Sequence, residues 1–278
     1  MNQSLNDPLI EIYFFVDEVA KPHPEFARWR ASNHGSPKFS DAEVIPIALM
    51  QGDFGCATLS RTDDLVRANA RGAFPHLCSY QPWVARLHAL SPMIGRLVLA
   101  SSIRPGEELR LFRIDSKPIP VCHPLRHGRV RLLREDGAYF SQSRKGWFFG
   151  FKLHAIVNQR GVTVGAILTP AKTDDRDAAA ALAWATEGGL CLADWGSRGE
   201  EGQDLLIEEA DRLWLTTAAV GEKRALVCSW RERVETSFSQ LWSRFVDRVY
   251  SRCWNGLWTT IKLKLLHLNL CLNGILEV

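Results

Sequence analysis

The sequence predicts an α/β protein in which an all-helical segment, residues 1–107, precedes a mixed sheet flanked by helices, residues 108–278. Two observations predict it. Apolar residues recur at helical spacing before the turn-rich stretch Ile103-Arg104-Pro105-Gly106-Glu107-Glu108 and at strand spacing after it. Beyond that stretch the elements run three strands, helix, strand, helix, strand, helix, which is a meander followed by crossovers.

Each element has a local reason. Ser40-Asp41-Ala42-Glu43 has the spacing of a capping box and leads into Val44, Ile45, Ile47, Ala48 and Leu49, a helix that Gly52 is expected to break. Ser60 to Ala70 makes a second short helix, ended by Gly72. A third begins near Pro82, and its apolar face is Val84, Leu87, Leu90, Ile94, Leu97 and Leu99, with a kink expected at Pro92. Short helices carrying Arg61, Arg67 and Arg71 read equally well as a DNA-binding module and as a plain bundle.

After the boundary, Leu109 to Val121 alternates apolar and basic residues as a strand does, and residues 122–146 read as a polar, basic loop. Trp147 to Val157 and Val162 to Leu168 form a hairpin across Asn158-Gln159-Arg160-Gly161. An alanine-rich helix, Asp174 to Thr186, follows, then a short buried strand, Leu190 to Ala193. A helix over residues 200–210, a fifth strand at Arg212 to Thr216 and a long helix from Ser229 to Val249 complete the pattern. The last helix has the core stripe Val234, Phe238, Leu241, Phe245 and Val249.

At 278 residues, 46% hydrophobic and 23% charged, the chain has the composition of a globular protein of one large domain or two ordinary ones. No apolar run reaches the roughly 18 to 20 residues of a membrane span, and the opening Met1-Asn2-Gln3-Ser4-Leu5-Asn6-Asp7 is not a secretory signal. Seven scattered cysteines without a C-x-x-C pair point to a reduced, cytoplasmic compartment and away from a zinc site. The absence of a Gly-x-x-x-x-Gly-Lys loop and of a Gly-x-Ser-x-Gly elbow removes the support for ATP use and serine-hydrolase chemistry. The net charge is only +3, yet between Arg104 and Arg160 twelve Lys and Arg stand against five Asp and Glu. That local excess suits a phosphate-tracking surface, although an ordinary solvated basic face would look the same.

Three carboxylates carry the chemistry. Asp115 lies on the first strand, Asp194 at the end of the fourth and Glu235 on the late helix, at separations of 79 and 41 residues. Singly, each has a bland reading: a solvent-facing strand aspartate, a cap, and an ion pair with Arg231 one turn earlier. Together, three carboxylates from three elements can hold two Mg²⁺ ions, and two ions can drive in-line displacement at a phosphodiester. The element order and the three positions are those of the ribonuclease-H-like fold.

The chain resembles the DDE transposases of bacterial insertion sequences. The resemblance rests on Ile114-Asp115-Ser116-Lys117-Pro118 at the first-aspartate strand, and on Phe149-Gly150-Phe151-Lys152-Leu153-His154 with Leu168-Thr169-Pro170-Ala171 in the following hairpin. It continues through Arg231 to Leu241 on the glutamate helix and Phe39 to Ile45 before the catalytic core. Two positions depart from it: Cys228 stands where many relatives have tyrosine, and Trp242 where many have lysine.

The resemblance implies that Asp115, Asp194 and Glu235 are the catalytic and metal-binding residues, with two Mg²⁺ or Mn²⁺ ions as cofactors. It also implies that the element's ends and target DNA are the partners of a homodimer or higher assembly, in the bacterial cytoplasm and on the nucleoid when bound. Lys152, Arg231 and the basic loop with Arg126, Arg129, Arg131, Arg144 and Lys145 would hold phosphates. Trp195 and Trp242 are candidates for stacking on an unpaired base, and His154 shares a strand face with Lys152. Two alternatives remain open on the sequence: a ribonuclease-H-like nuclease without strand joining, and a catalytically silent DNA-binding protein derived from a transposase.

Overall fold

The computed structural model describes residues 3–26, 37–104, 106–107, 111–143, 146–183, 189–193, 213–216, 239 and 250–276. Its helices are α1 (Gln3–Ala20), α2 (Asp41–Asp53), α3 (Leu59–Asn69), α4 (Tyr80–Ala89), α5 (Ser91–Ala100), α6 (Asp175–Ala183) and α7 (Trp254–Leu272). Its strands are β1 (Leu111–Cys122), β2 (Tyr139–Ser143), β3 (Gly146–Asn158), β4 (Thr163–Pro170), β5 (Leu190–Ala193) and β6 (Leu213–Thr216). Two compact units result, one of Met1–Ser101 with Cys253–Val278 and one of Ser102–Arg252.

In the helical unit α2 is the central element, with Ala42 and Val44 through Gln51 buried. The capping box forms as its spacing predicts, the Ser40 amide donating to Glu43 Oε2 at 2.5 Å. Arg86 of α4 donates to Asp41 Oδ1 at 2.8 Å and to the Phe39 carbonyl, and Trp83 Nε1 donates to the Val44 carbonyl at 3.1 Å. Gly52 does not break α2, which runs to Asp53. Its role is close approach: a Cβ there would lie 2.5 Å from Nε2 of the His267 imidazole. The expected kink at Pro92 is a full break, because proline occupies the first turn of a new helix, α5, where its missing N–H costs nothing.

The C-terminal helix α7 had no counterpart among the expected elements, and residues 253–278 fall in the helical unit instead of with the sheet. Side-chain amides fasten it there. Asn269 Nδ2 donates to the Val98 carbonyl (3.3 Å) and to Ser101 Oγ (3.0 Å), and Asn273 Nδ2 to the Ser101 carbonyl at 2.6 Å. Lys262 Nζ donates to the Ser91 carbonyl and hydroxyl at 3.0 and 3.1 Å.

The second unit is built on one mixed sheet in the order β2-β3-β1-β5-β6, with β4 also on β3. The 13-residue β3 takes β1 along one edge, while β2 (against 146–150) and β4 (against 151–157) share the other edge end to end. β1, β3 and β4 form the antiparallel meander, and β5 and β6 run parallel to β1. This is the ribonuclease-H-like arrangement. Strand β2 arises inside what reads as a loop in the sequence, because its support comes from pairing with β3. Helix α6 covers one face through Ala179 and Leu182, which join Phe112, Ile114, Ile156, Val164 and Cys191 in a buried cluster. The turn after β3 is built by Asn158, whose Oδ1 accepts the amides of Arg160 (3.0 Å) and Val162 (3.1 Å). Among the described residues no helix is long and apolar enough to cross a membrane.

Candidate active site

Asp115 sits on β1, between β3 and β5 and facing away from α6. Strand alternation places Phe112, Ile114 and Ser116 on the α6 side and Arg113, Asp115 and Lys117 on the other. The side chain of Asp115 is 29% exposed, with the guanidinium of Arg113 4.0 Å from Oδ2. Its Oδ1 accepts the Ser116 amide at 2.8 Å. A carboxylate held in this way is fixed in direction yet open to a ligand.

The parallel register brings β5 alongside. Leu111 pairs with Leu190 and Ile114 with Ala193. Each member of that last pair is followed in the sequence by an aspartate, Asp115 and Asp194. Asp194, Glu235, Arg231, Trp242, Arg144 and Lys145 lie outside the described residues, as do Trp195 and Cys228. Of the expected phosphate-binding residues that are described, Arg126, Arg129 and Arg131 are exposed. Lys152 is held instead, donating to the Thr173 carbonyl at 3.0 Å and Asp175 Oδ1 at 3.1 Å.

On the α6 side, one turn of chain away from Asp115, lies a second polar group that the sequence did not single out. Asp175, in the first turn of α6, accepts from Ser116 Oγ at 3.1 Å as well as from Lys152. Beside them His154 is fully buried, with Nδ1 3.8 Å from Asp175 Oδ1. Thr169 donates its hydroxyl to the Pro170 carbonyl at 3.4 Å, so His154 Nε2, 2.9 Å from that hydroxyl, is assigned as the protonated nitrogen. Burial pushes the His154 pKa down to about 4, against the pull of the Asp175 carboxylate, and the ring is neutral at pH 7. Asp175 could not be found from local pattern. It is one of three acids within four residues, and its partners lie 59 and 23 positions away.

Residues 106–235 match the family model of the transposase DDE domain. This stretch is similar to a transposase DDE domain. The match begins just before β1, contains Asp115 and Asp194, and ends on Glu235. No curated protein and no solved structure gave a significant match. The similarity is to a domain that acts on DNA. Within the matched stretch the structure puts Asp115 at the centre of the sheet and four exposed arginines, Arg126, Arg129, Arg131 and Arg134, in the segment between β1 and β2.

Proposed function

We propose that the protein is a metal-dependent transposase that binds the terminal inverted repeats of its element, cleaves there and joins the freed 3′ ends to target DNA. The observation that carries this reading is the β1–β5 register. Ile114 and Ala193 are paired partners, and an aspartate follows each of them inside a matched DDE domain that closes on Glu235.

The donor chemistry fits divalent metal. Asp115, Asp194 and Glu235 offer only carboxylate oxygens, the ligands that Mg²⁺ and Mn²⁺ prefer, and Asp115 is both oriented and accessible. When bound, two such ions lower the pKa of a nucleophile and stabilise the leaving oxygen. The chain's own residues do the rest. The Ser116 amide fixes the direction of the Asp115 carboxylate, and Arg113 and Lys117 make its sheet face attractive to phosphate. Ser116 ties the start of α6 to the strand that carries Asp115 and Lys152 ties it to the adjacent β3, so both act on its position. Arg126, Arg129, Arg131, Arg144, Lys145 and Arg231 hold phosphates and set register, and the N-terminal helices carry the sequence recognition. Holding two element ends at once calls for a dimer or higher assembly, working on DNA in the cytoplasm.

The test is a set of single variants. Asp115→Ala, Asp194→Ala and Glu235→Ala each abolish end cleavage and strand transfer while leaving end binding within about threefold, since phosphate contacts come from other residues. Near-normal strand transfer by any one of them removes that residue from the site. Wild-type protein is active with Mg²⁺ or Mn²⁺ and inactive with Ca²⁺ or chelator. Cleavage that never proceeds to joining would leave a nuclease.

A further inference from the structure

The segment between β1 and β3 holds an aromatic ladder. The His127 ring stacks on Phe140 with centroids 4.1 Å apart and planes at 18°, and Phe140 stacks on Trp147 at 5.1 Å and 5°. The three rings come from three places: a turn after β1, strand β2 and the start of β3. The ladder is therefore assembled by the β2–β3 pairing, in which Phe140 faces Phe149 and Gln142 faces Trp147. Arg134 braces it from behind, its guanidinium 5.1 Å from the centre of the Phe149 ring and hydrogen-bonded to the His127 carbonyl.

Trp147 is the outermost ring. Phe140 covers one of its faces, and the residue remains 55% exposed. A tryptophan that served only to cement the hairpin would gain by folding its indole down onto the sheet. Here the ring instead stands parallel to its neighbours and open to solvent, as a stacking surface for another flat group.

Two further observations say what that group is. Alternation along β3 puts Trp147 on the same side of the strand as Phe149, Phe151, Leu153 and Ala155, and Ala155 is the paired partner of Asp115. The platform and the Asp115 carboxylate thus lie on the same side of the sheet, eight residues of strand and about 26 Å apart, with Phe149, Phe151, Leu153 and Ala155 buried between them. The surroundings are basic as well. His127 lies between Arg126 and Arg129, which are exposed with Arg131, and Arg144 and Lys145 precede Trp147 by two or three positions. The loop's acids, Glu135 and Asp136, are also exposed, and the segment stays positive in balance. A flat ligand in a cationic setting is a nucleobase on its phosphate backbone, and only an unpaired base presents a free face.

We propose that Trp147 is a stacking platform for an unpaired base of DNA held by the basic segment between β1 and β3. The proposal deepens the transposase reading and rests on it. It places a grip on single-stranded or distorted DNA well away from the reacting phosphodiester, with His127 and Phe140 holding the indole at its angle.

The experiment compares wild type, Trp147→Ala and Trp147→Phe in chelator, so that no strand is cut. Binding is measured to a short single strand carrying one 2-aminopurine and to the fully paired duplex of the same sequence. Removing the ring weakens single-strand binding roughly 5- to 150-fold, the range expected for one stacked base, and changes duplex binding by less than about twofold. Wild type and Trp147→Phe quench the 2-aminopurine emission, and Trp147→Ala does not. Equal losses on both DNAs, or no loss on the single strand, overturn the platform while leaving the transposase reading in place. A wild-type protein that binds neither DNA overturns both. Loss of cleavage in Asp115→Ala, together with unchanged single-strand binding in Trp147→Ala, refutes the platform alone.

Discussion

Gly150 lies in β3 where that strand meets the irregular end of β1, and a side chain there has nowhere to go. A Cβ at position 150 would sit 2.1 Å from the Ile119 carbonyl oxygen and 3.1 Å from the Val121 amide nitrogen. Both are backbone atoms at or beside the register break between Pro120 and Cys122, so no rotamer change relieves the contact. Ordinary carbon–oxygen contact requires the two strands to part by about 1 Å, and overpacking of this sort costs about 1–3 kcal/mol even where side chains can give. With backbone on both sides the upper end applies, and about 3 kcal/mol in a unit of this size lowers Tm by roughly 6–12 °C. The assay is thermal unfolding of Gly150→Ala beside Gly128→Ala, whose added methyl meets nothing within 4 Å. Gly128→Ala is expected to melt with the wild type. Because the disturbed strand also carries Asp115, Gly150→Ala should lose cleavage at temperatures where it is still folded. Melting of Gly150→Ala within about 1 °C of wild type would refute the reasoning, since even the lower cost predicts a shift of at least about 2 °C.

Other expectations concern pH and salt. His154 has its folded pKa pushed below the ordinary 6.5 to about 4, so its contribution to stability is whole above pH 6.5 and is lost as pH falls through about 4. The gap is worth about 3 kcal/mol at most, and urea unfolding of His154→Gln should show a flatter acid limb than wild type; an identical limb rejects the assignment. His267 goes the other way. Burial opposes its charge, but the Asp53 carboxylate 3.3 Å from Nε2 and the hydrogen bond with Cys271 (3.6 Å) outweigh it and lift the pKa to about 9. Its stabilisation is therefore whole below pH 6.5 and is lost as pH rises through about 9. NMR titration of His267 should show Asp53→Asn moving that pKa down, and no movement contradicts the pairing. Replacing Arg126, Arg129 and Arg131 together by alanine should reduce the slope of log affinity against log salt by about 3 if each contacts one phosphate, and an unchanged slope excludes them.

Elements with a local signal were legible, and those defined by their partners were not. Ser40 and Glu43 announce α2 because a capping box is written within four residues, and Asn158 to Gly161 announce the hairpin because the turn chemistry is local. Strand β2 is five residues with two serines and a glutamine, a strand only because β3 lies beside it. Helix α7 escaped notice for the opposite reason. It is buried on nearly every side, from Leu263 through Cys271, so it shows no polar–apolar stripe. In the candidate site, Asp115 was visible through alternation along one strand. Asp175 and the ladder of His127, Phe140 and Trp147 required the topology, since pairing alone joins positions so far apart in the chain.

The return of α7 to the helices of the N-terminal half has a consequence for the order in which the chain becomes a protein. The helical unit takes its last wall from residues made only after all of Ser102–Arg252 has been synthesised. Until then the Ser101 and Val98 carbonyls lack the Asn269 and Asn273 amides, and α5 lacks its covering surface. The sheet unit can fold as it emerges, but the helical unit must wait with apolar faces uncovered. A ribosome that stops early, or a frameshift upstream of Trp254, therefore releases a chain with an incomplete helical unit, whatever the state of its sheet unit.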